Sequence, residues 1–110
     1  IPAERRAGLT GVWVGGRKIC SIGVAVRRWV TWHGLALNLT TGSATFAGFR
    51  PCGLDPEVMT CVAEHTELPP TRLLYEVLLV KHLCQVFDLR LPDPPPPPAP
   101  DPRPLPILPH

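Results

Sequence analysis

Apolar residues alternate with polar or small ones along the first part of the chain, which predicts β-strands. Three runs show this pattern, over 10–14, 17–26 and 29–39. The pair Gly15-Gly16 joins the first two, and this dipeptide suits a two-residue hairpin turn. Arg27-Arg28 is the predicted second turn. The pattern therefore predicts a three-stranded antiparallel meander, and residues 1–9 are predicted to be an irregular linker.

Alternation also assigns side chains to the two faces of the second strand. One face is predicted to carry Lys18, Cys20, Ile22, Val24 and Val26. The other face carries small residues and includes Gly23, and a glycine inside a strand is typical of a place where a ligand or another backbone comes close.

Helical patterns appear only after residue 44. Asp55 and Pro56 indicate a short helix reaching about His65, and residues 45–49 fit one helical turn. After Pro69-Pro70, Thr71 is the predicted N-cap of a longer helix. We expect its apolar stripe to pack on the sheet, and the stripe comprises Leu73, Leu74, Val77, Leu78, Val80, Cys84 and Phe87.

The composition changes abruptly at Pro92, and residues 94–98 are all proline. Because proline has no backbone N–H, we expect residues 92–110 to form a solvated polyproline II tail. Residues 103–109 resemble the arginine-plus-proline peptides that SH3 modules bind. An uninvolved tail is the simpler interpretation.

The chain has 110 residues and a net charge of +2, which fits one small domain. Arginines concentrate in its first quarter and suit an acidic protein partner. We expect no nucleic-acid partner, since no basic run with interleaved aromatics is present. We expect no membrane span, because no apolar run is long enough. The four cysteines show neither zinc-finger spacing nor CxxC, so no metal site is expected, and Cys20 and Cys84 are predicted to be small buried hydrophobes.

Lys18 and Cys52 form the candidate site for acyl transfer. Only a thiolate attacks an acyl carbon, and a free cysteine, with a pKa of about 8.5, is mostly protonated at neutral pH. A nearby ammonium favours the thiolate, and the same lysine, once neutral, acts as a base. Amides near Gly23 and Gly34 are candidates for stabilising an oxyanion. His33 is a second candidate base, although a histidine on an apolar strand is more often structural. Spacing alone favours the simpler view of a surface lysine and a buried cysteine.

Five short motifs between Thr10 and Val62 resemble the lipoyl(octanoyl) transferases, whose fold is that of the biotin/lipoate protein ligases, related to class II aminoacyl-tRNA synthetases. The motifs are Gly11-Val12-Trp13-Val14, Arg17-Lys18-Ile19, Ile22-Gly23-Val24, His33-Gly34-Leu35-Ala36-Leu37-Asn38 and Pro51-Cys52-Gly53-Leu54.

The resemblance implies an α+β fold, with residues 10–91 forming the C-terminal part of the catalytic domain. It implies that Cys52 carries an octanoyl thioester and that Lys18 lowers the pKa of its thiol. The acyl-binding segments are expected at Ser21-Ile22-Gly23 and Gly34-Leu35-Ala36.

The resemblance also implies the substrates and partners. The donor is octanoyl-acyl carrier protein. The acceptors are lysines of the lipoyl domains of 2-oxoacid dehydrogenase complexes and of glycine cleavage H protein. No cofactor or metal is implied, and we expect a monomer. The expected location is mitochondrial, or cytoplasmic for a bacterial source.

Two departures from the family keep an alternative open. The glycine-rich substrate loop of the family's N-terminal half has no counterpart here, and neither does the proline tail in the family. The alternative is an inactive fragment that acts as a binding module through its tail. An ATP-dependent lipoate or biotin ligase is disfavoured, because those enzymes do not require the Pro51-Cys52-Gly53 cysteine.

Overall fold

A computed structural model describes residues 1–48, 55 and 58–99. Four antiparallel strands form one sheet in the order β1-β2-β3-β4. They are β1 (Glu4–Arg6), β2 (Leu9–Val14), β3 (Arg17–Arg27) and β4 (Val30–Leu37). The meander is therefore confirmed, but it has four strands rather than three. The difference arises because part of the predicted linker pairs with β2, Glu4 opposite Trp13 and Arg6 opposite Leu9.

Two tight turns set the strand register. Gly15 and Gly16 have φ angles of 54° and 78°, as the predicted hairpin requires. The second turn lies one residue later than predicted, because Arg28 and Trp29 take the positive φ angles, 51° and 64°. The predicted strand 29–39 is correspondingly shorter, Val30–Leu37.

A β-bulge in β3 changes which side chains share a face. Val12 pairs with Cys20, yet its neighbour Trp13 pairs with Lys18, so β3 has one extra residue at this point. The bulge places Ile19 and Cys20 together in the core cluster with Val14 and Val62. Lys18 lies with Trp13 on the opposite face. The predicted grouping of Lys18 with Cys20 and Ile22 is therefore wrong, because strict alternation does not hold across a bulge.

The segment predicted as a helix ending near His65 contains no α-helix in its described part. Met59 forms a parallel bridge with Lys18, and the Thr60 N–H donates to the Lys18 carbonyl at 2.9 Å. A short 3₁₀ turn, Val62–Glu64, follows. Tertiary pairing with β3 satisfies backbone groups that a helix would have paired locally. The turn predicted at 45–49 is a 3₁₀ turn at Ser43–Phe46, and Phe49 lies outside the described residues.

The helix α1 (Arg72–Phe87) follows, and Thr71 occupies its N-cap position as predicted, although the Thr71 side chain makes no capping hydrogen bond. Its predicted packing is wrong, because none of its residues is buried. Val77 is 58% exposed, Val86 is 77% exposed, and Cys84 is only half-buried. Tyr75 is the helix residue that packs on the core cluster. No described helix is long and apolar enough to cross a bilayer.

Candidate active site

Lys18 is buried at the inner end of β3, with 5% of its surface exposed. Its Nζ lies 5.7 Å from the centroid of the Trp13 ring, within range of a cation–π contact. Arg6 of β1 lies over the same ring at 5.4 Å. Trp13 is 2% exposed, and its Nε1 has no hydrogen-bond partner in the structure as described. The Lys18 side chain thus packs against the Trp13 ring rather than extending into solvent.

Gly11 makes room for the lysine side chain. A Cβ atom on Gly11 would lie 2.6 Å from Lys18 Cε and 2.6 Å from the Cys20 carbonyl oxygen. The φ angle of Gly11 is 130°, which side chains rarely tolerate. Glycine is therefore required here both for its backbone conformation and for the space it leaves.

The bulge brings Lys18 onto the face of the sheet that carries small residues. Ser21 pairs with Ala36 and Gly23 pairs with Gly34, so these four share a face, and the bulge puts Lys18 on it. A Cβ atom at Gly23 or Gly34 would meet nothing within 4 Å. No described residue covers this face near Gly23 or Gly34.

Ile22 and Leu35, the other two candidate acyl-binding residues, lie on the opposite face. They line an open apolar cavity of about 240 Å³ beneath the sheet, together with Cys20, Leu37, Val62 and Tyr75. The six candidate residues are therefore adjacent in the sheet but divided between its two faces.

Distance along the strand separates the glycine pair and His33 from Lys18. At about 3.3 Å per residue, Gly23 is roughly 15 Å beyond Lys18. His33, the second candidate base, pairs with Val24 one step further and is exposed. His33 is therefore not positioned to exchange a proton at the lysine end.

Cys52, the predicted nucleophile, lies outside the described residues. The described chain resumes fully at Val58, directly before the bridge between Met59 and Lys18. The expected proximity of Cys52 and Lys18 therefore stays a prediction.

Cys20, Cys61 and Cys84 are free thiols. Burial raises the pKa of the Cys20 thiol, and the Ala36 N–H and the positive charge of Lys18 oppose that rise. The thiol is on the core face and donates to the Ser21 carbonyl at 3.7 Å. Cys20 is thus a structural thiol kept neutral, as its sequence pattern indicated. Among the described residues no group of three His, Cys, Asp or Glu is placed to hold a metal ion.

A polar cluster that the sequence did not single out fixes the segment beside Lys18. Arg17 donates through Nη1 to Glu64 at 2.6 Å and through Nη2 to the Met59 carbonyl at 2.8 Å. Thr60 is fully buried, and its hydroxyl donates to Glu64 at 3.0 Å. Because that donates the hydroxyl's single proton, His65 Nε2, 2.8 Å away, must be the donor to Thr60 Oγ1.

Electrostatics keep the Glu64 carboxylate ionised. Desolvation is the largest single influence and acts to raise its pKa. The hydrogen bonds from Arg17 and Thr60, the charge of Arg17 and the Cys61 thiol outweigh it, and the pKa of Glu64 is lowered. The sequence alone does not indicate this cluster, because a helix is predicted up to about His65. Polar residues on such a helix would face water.

The sequence matches the lipoyl protein ligase A/B catalytic domain over residues 1–83. The chain belongs to this family. An octanoyltransferase of Synechococcus sp. (strain JA-2-3B'a(2-13)) is 45% identical over 91 residues, which cover 82% of this chain and 34% of the relative. An octanoyltransferase of Cytophaga hutchinsonii is 37% identical over 97 residues, covering 83% and 40%. One of Thermoanaerobacter sp. (strain X514) is 54% identical over 54 residues, covering 49% and 24%.

The chain spans about a third of the length of the curated relatives it matches. The resemblance to the octanoyltransferase family is confirmed by these matches, and the four strands and one α-helix of the described residues are compatible with the α+β ligase fold.

Proposed function

We propose that this chain supplies the lysine and cysteine of an octanoyl-transferring catalytic domain. Membership of the family and the names of its octanoyltransferase relatives support acyl transfer. The observation that carries the proposal is the burial of Lys18 against Trp13, on the face that continues into Ser21, Gly23, Gly34 and Ala36. A lysine is rarely buried without a specific purpose.

The reaction proceeds in two steps that need no net oxidation or reduction. The Cys52 thiolate attacks the octanoyl thioester of acyl carrier protein, and the phosphopantetheine thiol leaves after gaining a proton. A lysine amine of a lipoyl domain then attacks the Cys52 thioester, losing a proton as the amide forms and the cysteine thiol is regenerated. Lys18 stabilises the Cys52 thiolate, and in its neutral form takes the proton from the incoming amine.

The acyl chain is proposed to lie along the small-residue face. A site roughly 15 Å from Lys18, where Gly23 faces Gly34, suits the chain of an acyl group rather than its reacting carbonyl. Ile22 and Leu35 act through their backbone in this arrangement, since their side chains line the cavity on the other face. An oxyanion role for the Gly23 and Gly34 amides receives no support from this distance.

The proposed partners are octanoyl-acyl carrier protein and lipoyl domains, including those of 2-oxoacid dehydrogenase complexes and glycine cleavage H protein. Acyl carrier protein is acidic, and the arginines concentrated in the first quarter of this chain suit an acidic partner. A mitochondrial location and a monomeric state remain predictions.

Intact-mass spectrometry after incubation with octanoyl-acyl carrier protein tests this function. We expect a mass gain of one octanoyl group that is absent in Cys52→Ser and formed more slowly in Lys18→Ala. Cys84→Ser is the matched control and should retain the adduct, because Cys84 lies on α1 and outside the five motifs that resemble the family. A folded sample that gains no octanoyl group, even when the rest of a relative's catalytic domain is supplied, contradicts the proposal and favours the alternative of an inactive binding module.

A further inference from the structure

The bridge between Met59 and Lys18 fixes the described chain that follows Cys52 against β3. Cys52 precedes Met59 by seven residues, so the position of Met59 limits where the cysteine can lie. Met59 is 2% exposed and Thr60 is fully buried, and the Thr60 N–H donates to the Lys18 carbonyl. The described chain that follows Cys52, from Val58 onward, is therefore anchored on the backbone of Lys18, the predicted activating residue.

The side chains of Arg17 and Glu64 add hydrogen bonds around this backbone pairing. Arg17, the residue before Lys18, reaches across to the Met59 carbonyl and to Glu64. Glu64 accepts from Arg17 and Thr60 through one oxygen, and its other oxygen lies 3.7 Å from the Cys61 sulfur. A bond between charged partners is among the stronger hydrogen bonds in proteins, and a guanidinium fork fixes direction as well as distance.

A neighbouring loop shows that the Glu64 carboxylate occupies a defined place. A Cβ atom on Gly42 would lie 2.5 Å from Glu64 Oε1 and 3.8 Å from Cys61 Sγ. Loop, 3₁₀ turn and strand thus meet at one carboxylate group.

We propose that Arg17, Thr60 and Glu64 are positioning residues that hold the Cys52 segment in register with Lys18, an inference that rests on the proposed function. We name these three residues the docking triad. They do not touch the reacting atoms. They fix the segment on β3, so that the Cys52 sulfur stays within the influence of the Lys18 ammonium.

The direction in which the pKa of Cys52 changes distinguishes a positioning role of Glu64 from a purely electrostatic one. Glu64 is an anion, so its replacement by glutamine, acting through charge alone, favours the thiolate and lowers the pKa of Cys52. Loss of positioning moves the sulfur away from Lys18 and raises that pKa. The two explanations therefore predict opposite shifts.

The experiment measures the rate of Cys52 alkylation by iodoacetamide against pH, with peptide mass spectrometry to separate Cys52 from the other cysteines. In Glu64→Gln we expect the pH–rate profile of Cys52 alkylation to shift to higher pH by about one unit, which slows alkylation about tenfold at neutral pH. Glu76→Gln is the matched control, because it removes an exposed Arg72–Glu76 pair with the same 2.6 Å separation on α1. Its profile should coincide with the wild type.

A double-variant comparison tests whether the triad acts through Lys18. Lys18→Ala alone should shift the pH–rate profile of Cys52 to higher pH. The double variant Lys18→Ala with Glu64→Gln should shift it no further. An unchanged or faster reaction in Glu64→Gln, or additive shifts in the double variant, overturns the inference.

Two conservative substitutions of Thr60 test the inference with less risk of unfolding the protein. Thr60→Ser keeps the hydroxyl and Thr60→Val removes it with little change in shape, so only Thr60→Val should shift the profile. If the two variants coincide, the triad has no positioning role. An octanoyl adduct on wild type with no pH shift in the variants refutes the inference alone, and a shift without any adduct refutes the proposed function alone.

Discussion

The two ends of β3 differ sharply in how they are packed. At the inner end three consecutive residues, Lys18, Ile19 and Cys20, are each no more than 5% exposed. At the outer end Val24 and Val26 are 56% and 61% exposed, although their sequence is at least as apolar. The difference comes from what covers each end. Among the described residues, the inner end lies between Trp13 on one face and Val62 on the other, and Met59 pairs with its edge at Lys18, whereas the outer end pairs only with β4.

The contrast teaches that strand pairing and burial have separate causes here. The β3–β4 hairpin keeps continuous register from Cys20 and Leu37 to Arg27 and Val30 without a covered face. A hairpin alone contributes little stability in water. The inner end should therefore account for most of the folding free energy, and it is also where the candidate site lies.

Replacement of one tryptophan at each end gives the largest contrast between the ends. Trp13→Ala should destabilise the fold by about 4 kcal/mol, because it empties the space beside Lys18. Trp29→Ala should change it by less than about 0.5 kcal/mol, since Trp29 is 97% exposed in the turn. Urea unfolding followed by far-UV circular dichroism measures both. Equal losses would show that the outer hairpin also carries the folding free energy.

Alanine at two glycines probes the space around Lys18. Gly11→Ala should cost about 3 kcal/mol, the upper end of the cost of a forced backbone conformation, because the new methyl also meets Lys18 and a backbone carbonyl. Gly8→Ala should cost about 1 kcal/mol, since Gly8 shares the positive φ but its Cβ would meet nothing within 4 Å. Urea midpoints compare the two. Similar midpoints would mean that the lysine side chain moves aside freely.

The ion pair of the docking triad gives the smallest effect, and this effect depends on pH. Glu64→Gln should destabilise the protein at pH 7 by about 1 kcal/mol, a low value for a charged hydrogen bond because each partner is about one-third exposed. The folded-state pKa of Glu64 is lowered, so its contribution is present above the ordinary value of 4.5 and is lost as pH falls through the lower folded value.

Urea midpoints of the wild type and Glu64→Gln measured from pH 7 down to pH 3 check this dependence. The difference between the two proteins should be constant at neutral pH and shrink below about pH 4.5. A difference that grows on acidification would have the wrong sign for a carboxylate that is stabilised in its ionised form.

Local sequence determined the elements whose signals are short-range. Gly15-Gly16 specified the first turn because few other dipeptides accept two positive φ angles. Thr71 after two prolines specified where α1 begins. The motifs around Lys18 and Cys52 identified the family, since their order and spacing survive without any knowledge of the fold.

Tertiary structure decided the features that depend on distant partners. The bulge in β3 turns Lys18 to the small-residue face, and it lies where β3 pairs with β2 on one edge and with Met59, 41 residues away in the chain, on the other. Strict alternation cannot reveal such an inserted residue, because one extra position reverses the face of every residue before it. The apolar stripe of α1 likewise fixed a helix but not its packing, since burial requires a surface to pack against and periodicity specifies none.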